Sequence, residues 1–204
     1  MHTKSFSVYI RRWWSLALIC LGLVLCGYVA YNYSWMRSQQ RALARQWQAR
    51  GTSVLSPARI SDGLARIQIP KIGLDAVIVE GTTRRALLRG PGHVLNSSLP
   101  GEPGNTVIAA HRDTFFRRLA ELDPGDSVYL DEGSTQYRYV VDRATIVDPN
   151  DASVLKSSSD SRLTLITCYP IRYVGPAPKR LVVSATLDTE QVSATTRPRN
   201  VQAR

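Results

Sequence analysis

Cysteine, histidine and phenylalanine are scarce in this chain of 204 residues, at three of each. Two of the cysteines, Cys20 and Cys26, fall inside an apolar N-terminal run and read as packing or lipid-facing residues. Only Cys168 is left for the rest of the chain, which rules out a disulfide framework and any cysteine-rich zinc module. Acids are missing from the first 50 residues, which carry seven basic side chains: Lys4, Arg11, Arg12, Arg37, Arg41, Arg45 and Arg50. The remaining residues hold 19 basic and 16 acidic side chains, so most of the +10 net charge belongs to the N-terminal segment. A basic excess placed there suits anionic lipid headgroups. Without a recognition helix, a zinc finger or an aromatic RNA platform, nucleic acid is set aside as a partner. The acids that do occur, among them Asp113, Glu121, Asp123, Asp126, Asp131 and Glu132, are scattered without a ligand series. No metal or other cofactor is expected. Internal repeats are absent as well.

Charge is also missing between Trp13 and Met36, and this stretch is long enough to span a hydrocarbon core as a helix. Trp13, Trp14, Tyr31, Tyr33 and Trp35 gather at its two ends, where amphipathic rings favour the interface. A cleaved signal peptide fits poorly, because cutting after Ala30 would put bulky Tyr28 at position −3. An uncleaved signal anchor is the better reading, with residues 13–36 in the bilayer. Basic residues flank both ends almost equally, so charge alone leaves the orientation open. Arg37, Arg41 and Arg45 recur every four residues, as do Leu43 and Trp47, which predicts a helical basic stalk. Gly51 to Ser53 and Ser56-Pro57 form a breaker-rich linker. The division expected is a short tail and anchor over 1–36, a stalk and linker over 37–62, a folded domain over 63–188 and a loose tail over 189–204.

Within the folded domain the pattern is of short strands separated by turns. Strands are predicted at Leu64–Ile69, Ala76–Val79, Thr106–Ala110, Ser127–Leu130, Tyr137–Val141, Ala144–Val147, Leu163–Cys168 and Leu181–Leu187. Thr83–Arg89 reads as one or two helical turns, and Thr114–Leu122 as a short helix ended by Asp123-Pro124-Gly125. Many short strands with few helices indicate an all-β barrel or sandwich.

Three residues lie at strand ends: His111 and Cys168 each end one, and Arg180 opens another. A thiolate, an imidazole and a guanidinium together suit acyl transfer from an amide. The thiolate attacks the carbonyl, the imidazolium protonates the leaving amine, and the guanidinium offers fixed donors to the oxyanion. Taken singly, each has a plainer reading: Cys168 as a small buried hydrophobe, His111 as a core histidine, Arg180 as a surface arginine. Spacing alone does not bring them together.

The stretch Thr164-Leu165-Ile166-Thr167-Cys168 resembles the active-site signature of sortases, membrane-anchored cysteine transpeptidases of bacteria. Arg180 follows about a dozen residues later, opening the next strand, and Ile108-Ala109-Ala110-His111-Arg112 matches the family's histidine context. Ile69-Pro70-Lys71-Ile72, Gly90-Pro91-Gly92-His93 and Pro103-Gly104-Asn105-Thr106-Val107 agree in order and spacing as well, so the likeness covers Leu64 to Leu187. The resemblance implies an eight-stranded β-barrel preceded by one transmembrane helix, with Cys168 as nucleophile, His111 as general acid and base and Arg180 as oxyanion stabiliser. It also implies cleavage of a Leu-Pro-x-Thr-like sorting signal and transfer of the acyl group to an amine such as a cell-wall precursor or a pilin lysine. The implied location is the cell membrane, with the N-terminus cytoplasmic and the enzyme outside.

Tyr169-Pro170 and the Pro-rich run from Tyr173 to Arg180 most resemble class D. Thr167, Tyr169, Pro170, Tyr173 and His93 are the candidates for substrate contact. Thr167, however, faces away from Cys168 on a regular strand and is given no catalytic role. His93 fits a structural histidine better than an accessory one. An L,D-transpeptidase would carry Ser-x-Gly-Cys, which is missing here, and a non-catalytic membrane-anchored β-domain would not need all three groups.

Overall fold

The computed structural model describes residues 3–50, 65–133, 135–191 and 193–194. Its first element is the helix α1, Thr3–Arg50. From Trp13 to Tyr31 its side chains are exposed and, Ser15 apart, apolar, and the helix is long and apolar enough to cross a membrane. The chain divides into two compact units, Met1–Gln39 and Gln40–Arg204. The linker expected over 51–57 and the domain start near Gly63 lie outside the described residues.

Among the described residues the second unit has nine strands: β1 Ala65–Ile69, β2 Leu74–Glu80, β3 Gly92–His93, β4 Gly104–Ala109, β5 Ser127–Glu132, β6 Thr135–Val147, β7 Ser161–Tyr169, β8 Lys179–Leu187 and β9 Ser193–Ala194. Their order in the sheet is β5-β1-β2-β3-β4-β7-β8-β6-β9, and β5 also pairs with β6. That last pairing closes eight strands into a barrel and leaves β9 as a two-residue addition on β6. Closure removes the free edges that an open sheet of this size would expose. Of the tail expected from Thr189, Thr189–Gln191 form a 3-10 turn and β9 pairs with Thr135 and Gln136, while 195–204 lie outside the described residues.

The barrel interior follows from strand alternation. Ile67 and Ile69, Val128 and Leu130, Leu163 and Leu165, and Val183 and Ala185 all point inward and are almost fully buried. Tyr139 fills the middle, and its hydroxyl accepts a hydrogen bond from the Gly101 N–H at 2.9 Å. Burial raises the Tyr139 pKa above its ordinary value.

Three elements differ from the sequence reading. Tyr137–Val141 and Ala144–Val147 form one strand, β6, with a register shift between Val141 and Arg143. A single extra residue interrupts the alternation there without ending the strand. Thr114–Leu122 holds turns and one 3-10 turn at Leu119–Glu121 in place of a helix. Phe116 and Leu119 are both fully buried, three residues apart, and a three-residue period suits the tighter winding. The short strand β3 carries too little pattern to be seen in sequence. Gly92 is required where it lies against β2, because a Cβ there would collide with the Gly81 carbonyl. The short helix α2, Arg84–Arg89, is capped by Thr83, whose side chain accepts from the Ala86 N–H.

From Gln40 onward, α1 packs on the barrel. Leu43 and Trp47 rest on Val77 and Val79, and the Gln40 amide pairs with both the N–H and the carbonyl of Val77. Val77 lies where β2 has no neighbour on its β3 side, since β3 begins opposite Val79. Gln40 therefore satisfies a stretch of strand edge that would otherwise be unpaired.

Phe116 fastens the segment that follows His111, its own N–H donating to the His111 carbonyl at 3.1 Å. Replacing Phe116 by Ala removes a fully buried ring and is expected to cost about 3–5 kcal/mol. Urea unfolding followed by the β-sheet circular dichroism signal measures this. A loss under about 1 kcal/mol would mean that the ring is not a core anchor.

Candidate active site

The site is fixed by register across three neighbouring strands. β4 and β7 run parallel with Ala109 opposite Ile166, and the Ala110 N–H donates to the Ile166 carbonyl at 3.1 Å. His111 follows two residues after Ala109, just past the end of β4, and Cys168 two residues after Ile166 on β7. β7 and β8 are antiparallel with Cys168 directly opposite Arg180. Of the three residues proposed from sequence, Cys168 and Arg180 are thus paired across β7 and β8, and His111 sits at the end of the neighbouring β4.

They also share a face. On β7 the residues Leu163, Leu165 and Thr167 are buried, while Arg162, Ile166 and Cys168 are less so. Cys168 therefore points to the outer side of the barrel wall, with Ile166 two residues before it. On β8 the same parity puts Arg180, Val182 and Ser184 beside Cys168, Ile166 and Thr164. His111, Cys168 and Arg180 are all half-buried: reachable from solvent yet held by rigid strands. Among the described residues no hydrogen bond or ion pair reaches the His111 ring. Arg180 uses Nη1 to donate to the carbonyls of Lys179 and Ala177, at 3.0 and 3.3 Å. Its other donors have no protein partner among the described residues.

The remaining candidates separate clearly. Thr167 is 2% exposed, and its Oγ1 donates to the Ala110 carbonyl at 2.8 Å. It faces the interior and ties β7 to the residue before His111, so the structure does not bring it to the groove. Tyr169 also lies on the inward side and packs against the core. His93 is 3% exposed, with Nδ1 3.1 Å from Glu80 Oε2 and Nε2 within hydrogen-bond distance of Ser97 Oγ and the Ser98 carbonyl. Those contacts belong to the packing around β3. Pro170 opens the 170–178 loop that follows Cys168, and Tyr173 is exposed within it.

The functional role of Arg112 is not evident from the sequence. It donates from Nη1 to the Pro170 carbonyl at 3.1 Å and from Nη2 to the Gly175 carbonyl at 2.8 Å. Its guanidinium lies 5.6 Å from the centre of the Tyr173 ring. One side chain next to His111 therefore grips the loop beyond Cys168 at two points. Its place directly after the histidine in Ala110-His111-Arg112 was the only available signal.

Beyond these three residues, the same outer face continues as an open cleft of about 720 Å³ over β6, β7 and β8. Thr164, Val182, Ser184 and Thr145 contribute to its floor, and residues 153–160 form a wall. Asn105 holds this wall, donating from Nδ2 to the Val154 and Lys156 carbonyls while its Oδ1 accepts from Thr164 Oγ1. Among the described residues, no group of three or more metal-ligating side chains occurs.

A half-buried thiol paired with a guanidinium, with an imidazole at the end of the next strand, thus lies on the wall of a closed eight-stranded barrel. A family model described as a sortase domain matches residues 67–188, and the chain belongs to the sortase family. It is 42% identical over 118 residues to Sortase D of Bacillus subtilis, an alignment covering 57% of this chain and 60% of that protein. To Sortase A of Bacillus anthracis it is 30% identical over 128 residues, covering 61% and 59%. The chain thus spans about 60% of the length of these curated relatives. The solved structure of a Clostridium perfringens Sortase D5 transpeptidase superposes with a TM-score of 0.63 at 28% identity, covering 76% of this chain and 98% of that one. Sortase A of Listeria monocytogenes gives a TM-score of 0.60 at 25% identity, covering 66% and 92%.

If Arg112 holds the loop, Arg112→Gln frees the Pro170 and Gly175 carbonyls. Trypsin should then cut after Arg172 several times faster, with the unfolding midpoint little changed. Equal nicking rates in the two proteins would show that the loop is held by other contacts.

Proposed function

We propose that this chain is a membrane-anchored cysteine transpeptidase that cleaves a Leu-Pro-x-Thr-like sorting signal and joins the acyl fragment to an amine. The observation that carries this reading is the pairing of Cys168 with Arg180 across β7 and β8, with His111 just past the end of β4, the strand on the other side of β7. Likeness to Sortase D of Bacillus subtilis supports the class D type.

In this reading the Cys168 thiolate attacks the carbonyl carbon that precedes the scissile bond, forming a C–S bond and an oxyanion. The free donors of Arg180 stabilise that oxyanion, a guanidinium being charged at any relevant pH. When the intermediate collapses the C–N bond breaks, and the His111 imidazolium gives its proton to the departing amine. A thioester on Cys168 remains. The acceptor amine then attacks it, the now neutral His111 takes the amine proton, and the thiolate leaves. Water in place of the amine would give hydrolysis, so the balance of products is set by which nucleophile reaches the thioester. Cell-wall precursors and pilin lysines are the acceptor classes proposed.

Tyr173 and Pro170 are proposed as groove residues on the loop beyond Cys168. The anchor is proposed at residues 13–36, because apolar, exposed helix surface over Trp13 to Tyr31 has no soluble role of its own. The catalytic unit would then lie outside the membrane with the N-terminus in the cytoplasm.

The test is the full chain in detergent, given a Leu-Pro-Ala-Thr-Gly peptide and an amine. Mass spectrometry should find a thioester adduct on Cys168 that is absent from Cys168→Ala, together with an amine-dependent ligation product. His111→Ala and Arg180→Ala should each lower kcat/KM by at least about a hundredfold. Ligation by the Cys168→Ala protein would overturn the assignment.

A further inference from the structure

The cleft beside the active site has two chemically different ends. At the end nearer Cys168 its surface is apolar or small, as at Val147, Val182 and Thr145. At its far end Arg143, Lys156 and Arg162 line it, against the single acid Asp160. None of the three basic side chains has an ion-pair or hydrogen-bond partner among the described residues. Lys156 lies near Asp151, whose carboxyl is held below the usual range first by hydrogen bonds from Ser153 and, in smaller part, by that lysine. The acid next to Arg143 in the chain, Asp142, is engaged by Thr186, whose Oγ1 donates to its Oδ2 at 2.8 Å, and Thr186 is opposite Arg162.

Their position along the cleft follows from strand geometry. Arg162 lies six residues before Cys168 on β7 and on the same face, which at about 3.3 Å per residue is roughly 20 Å from the thiol. Arg143 is opposite Ser184 on β8, which is opposite Thr164 on β7. That puts it in a row four residues, or about 13 Å, from the thiol along the strand direction. The wall above this end is not loose, since Asn105 fixes the main chain at Val154 and Lys156.

The inference rests on the sorting-signal reading above. A motif of four residues on the acyl side of the scissile bond needs a built surface on that side of Cys168, and the cleft supplies one. An extended tetrapeptide from the thiol covers about 13 Å and reaches the row of Thr164. The next residues of the substrate, upstream of the motif, then fall between Arg143 and Arg162.

We propose that Arg143 and Arg162 form a specificity subsite for acidic side chains in the one to three residues immediately N-terminal to the cleaved tetrapeptide. Two guanidiniums that line one cleft, on the strands either side of β8 and without an ion-pair or hydrogen-bond partner among the described residues, are suited to a carboxylate, which each can bind through two parallel N–H donors. Both are exposed enough to trade water for the ligand without a large desolvation cost. The subsite would govern substrate binding, not the chemical step. It would thus appear in KM with kcat unchanged.

The experiment measures binding to the full-length Cys168→Ala protein in a neutral detergent by fluorescence anisotropy. Three labelled peptides share the core Leu-Pro-Ala-Thr-Gly and differ only in two preceding residues: Glu-Glu, Gln-Gln or Lys-Lys. The Glu-Glu peptide should bind about tenfold more tightly than the Lys-Lys peptide at low salt, and the gap should narrow at about 0.5 M salt. Adding Arg143→Glu and Arg162→Glu should reverse the order while leaving the Gln-Gln peptide unchanged. Arg143→Gln with Arg162→Gln should simply flatten it. Equal affinities for the three peptides, no binding by any of them, or an order that survives the double charge reversal would overturn the subsite. The sorting-signal reading is judged separately, by whether the protein with Cys168 intact ligates the Gln-Gln peptide to an amine.

Discussion

Side-chain alternation along β7 is the constraint on which the rest of this structure depends. The strand has to put Leu163, Leu165 and Thr167 into the barrel and Arg162, Thr164, Ile166 and Cys168 on the outer wall. A slip of one residue would bury the thiol and expose the leucines. Hydrophobic burial therefore sets the register, and the same register that fills the core aims Cys168 at the groove. Thr167 adds a specific lock. Its hydroxyl bonds to the Ala110 carbonyl from inside the wall, immediately behind the pair that faces outward. Core packing and active-site geometry are two consequences of one pairing.

The parallel pairing of β4 with β7 explains why the site draws on distant parts of the chain. Parallel neighbours cannot be joined by a tight turn, so β5 and β6 are built in the interval and close the barrel on the way. β8 then returns antiparallel to β7, bringing Arg180 back across from Cys168 after the 170–178 loop. That loop is tied on both sides of the thiol. Arg112, following His111, takes the carbonyls of Pro170 and Gly175, and Arg180 takes that of Ala177. The two arginines play different parts. Arg112 spends its donors on the loop, whereas Arg180 keeps donors free beside the thiol.

Much of this was legible in the sequence, for reasons that differ between elements. The strands around Ile67, Ile108, Leu163 and Val183 announce themselves because each is a short alternating or continuous apolar run between turn residues. β3 does not, since two residues hold no period, and its formation rests on Gly92 tolerating close approach to Gly81. The segment Thr114–Leu122 misleads because its apolar spacing fits a helix as well as it fits turns. His111, Cys168 and Arg180 could be proposed from strand ends and from the family signature, yet their alignment required the register. Arg112, Arg143 and Arg162 were hidden for a further reason: an arginine in sequence carries no mark of whether it faces a loop carbonyl, solvent or a cleft.

Charge placement is the feature that separates the two ends of the cleft, and it follows from strand position more than from composition. Outside the N-terminal segment the chain is close to neutral, with 19 basic and 16 acidic side chains, and many of these pair locally, as Arg66 does with Asp75 and Arg118 with Glu121. Pairing of that kind cancels a field at short range. Arg143 and Arg162 escape it because their neighbours across the ladder are Ser184 and, for Arg162, Asn105 and Thr186, none of them charged. Of the acids near them, Asp160 alone lines the cleft, while Asp142 is engaged by the Thr186 hydroxyl. A ligand approaching that end therefore meets a positive potential, while the apolar floor nearer the thiol selects by shape. The division lets one continuous surface read two properties of the same extended chain: fit next to the reacting bond, and charge further upstream.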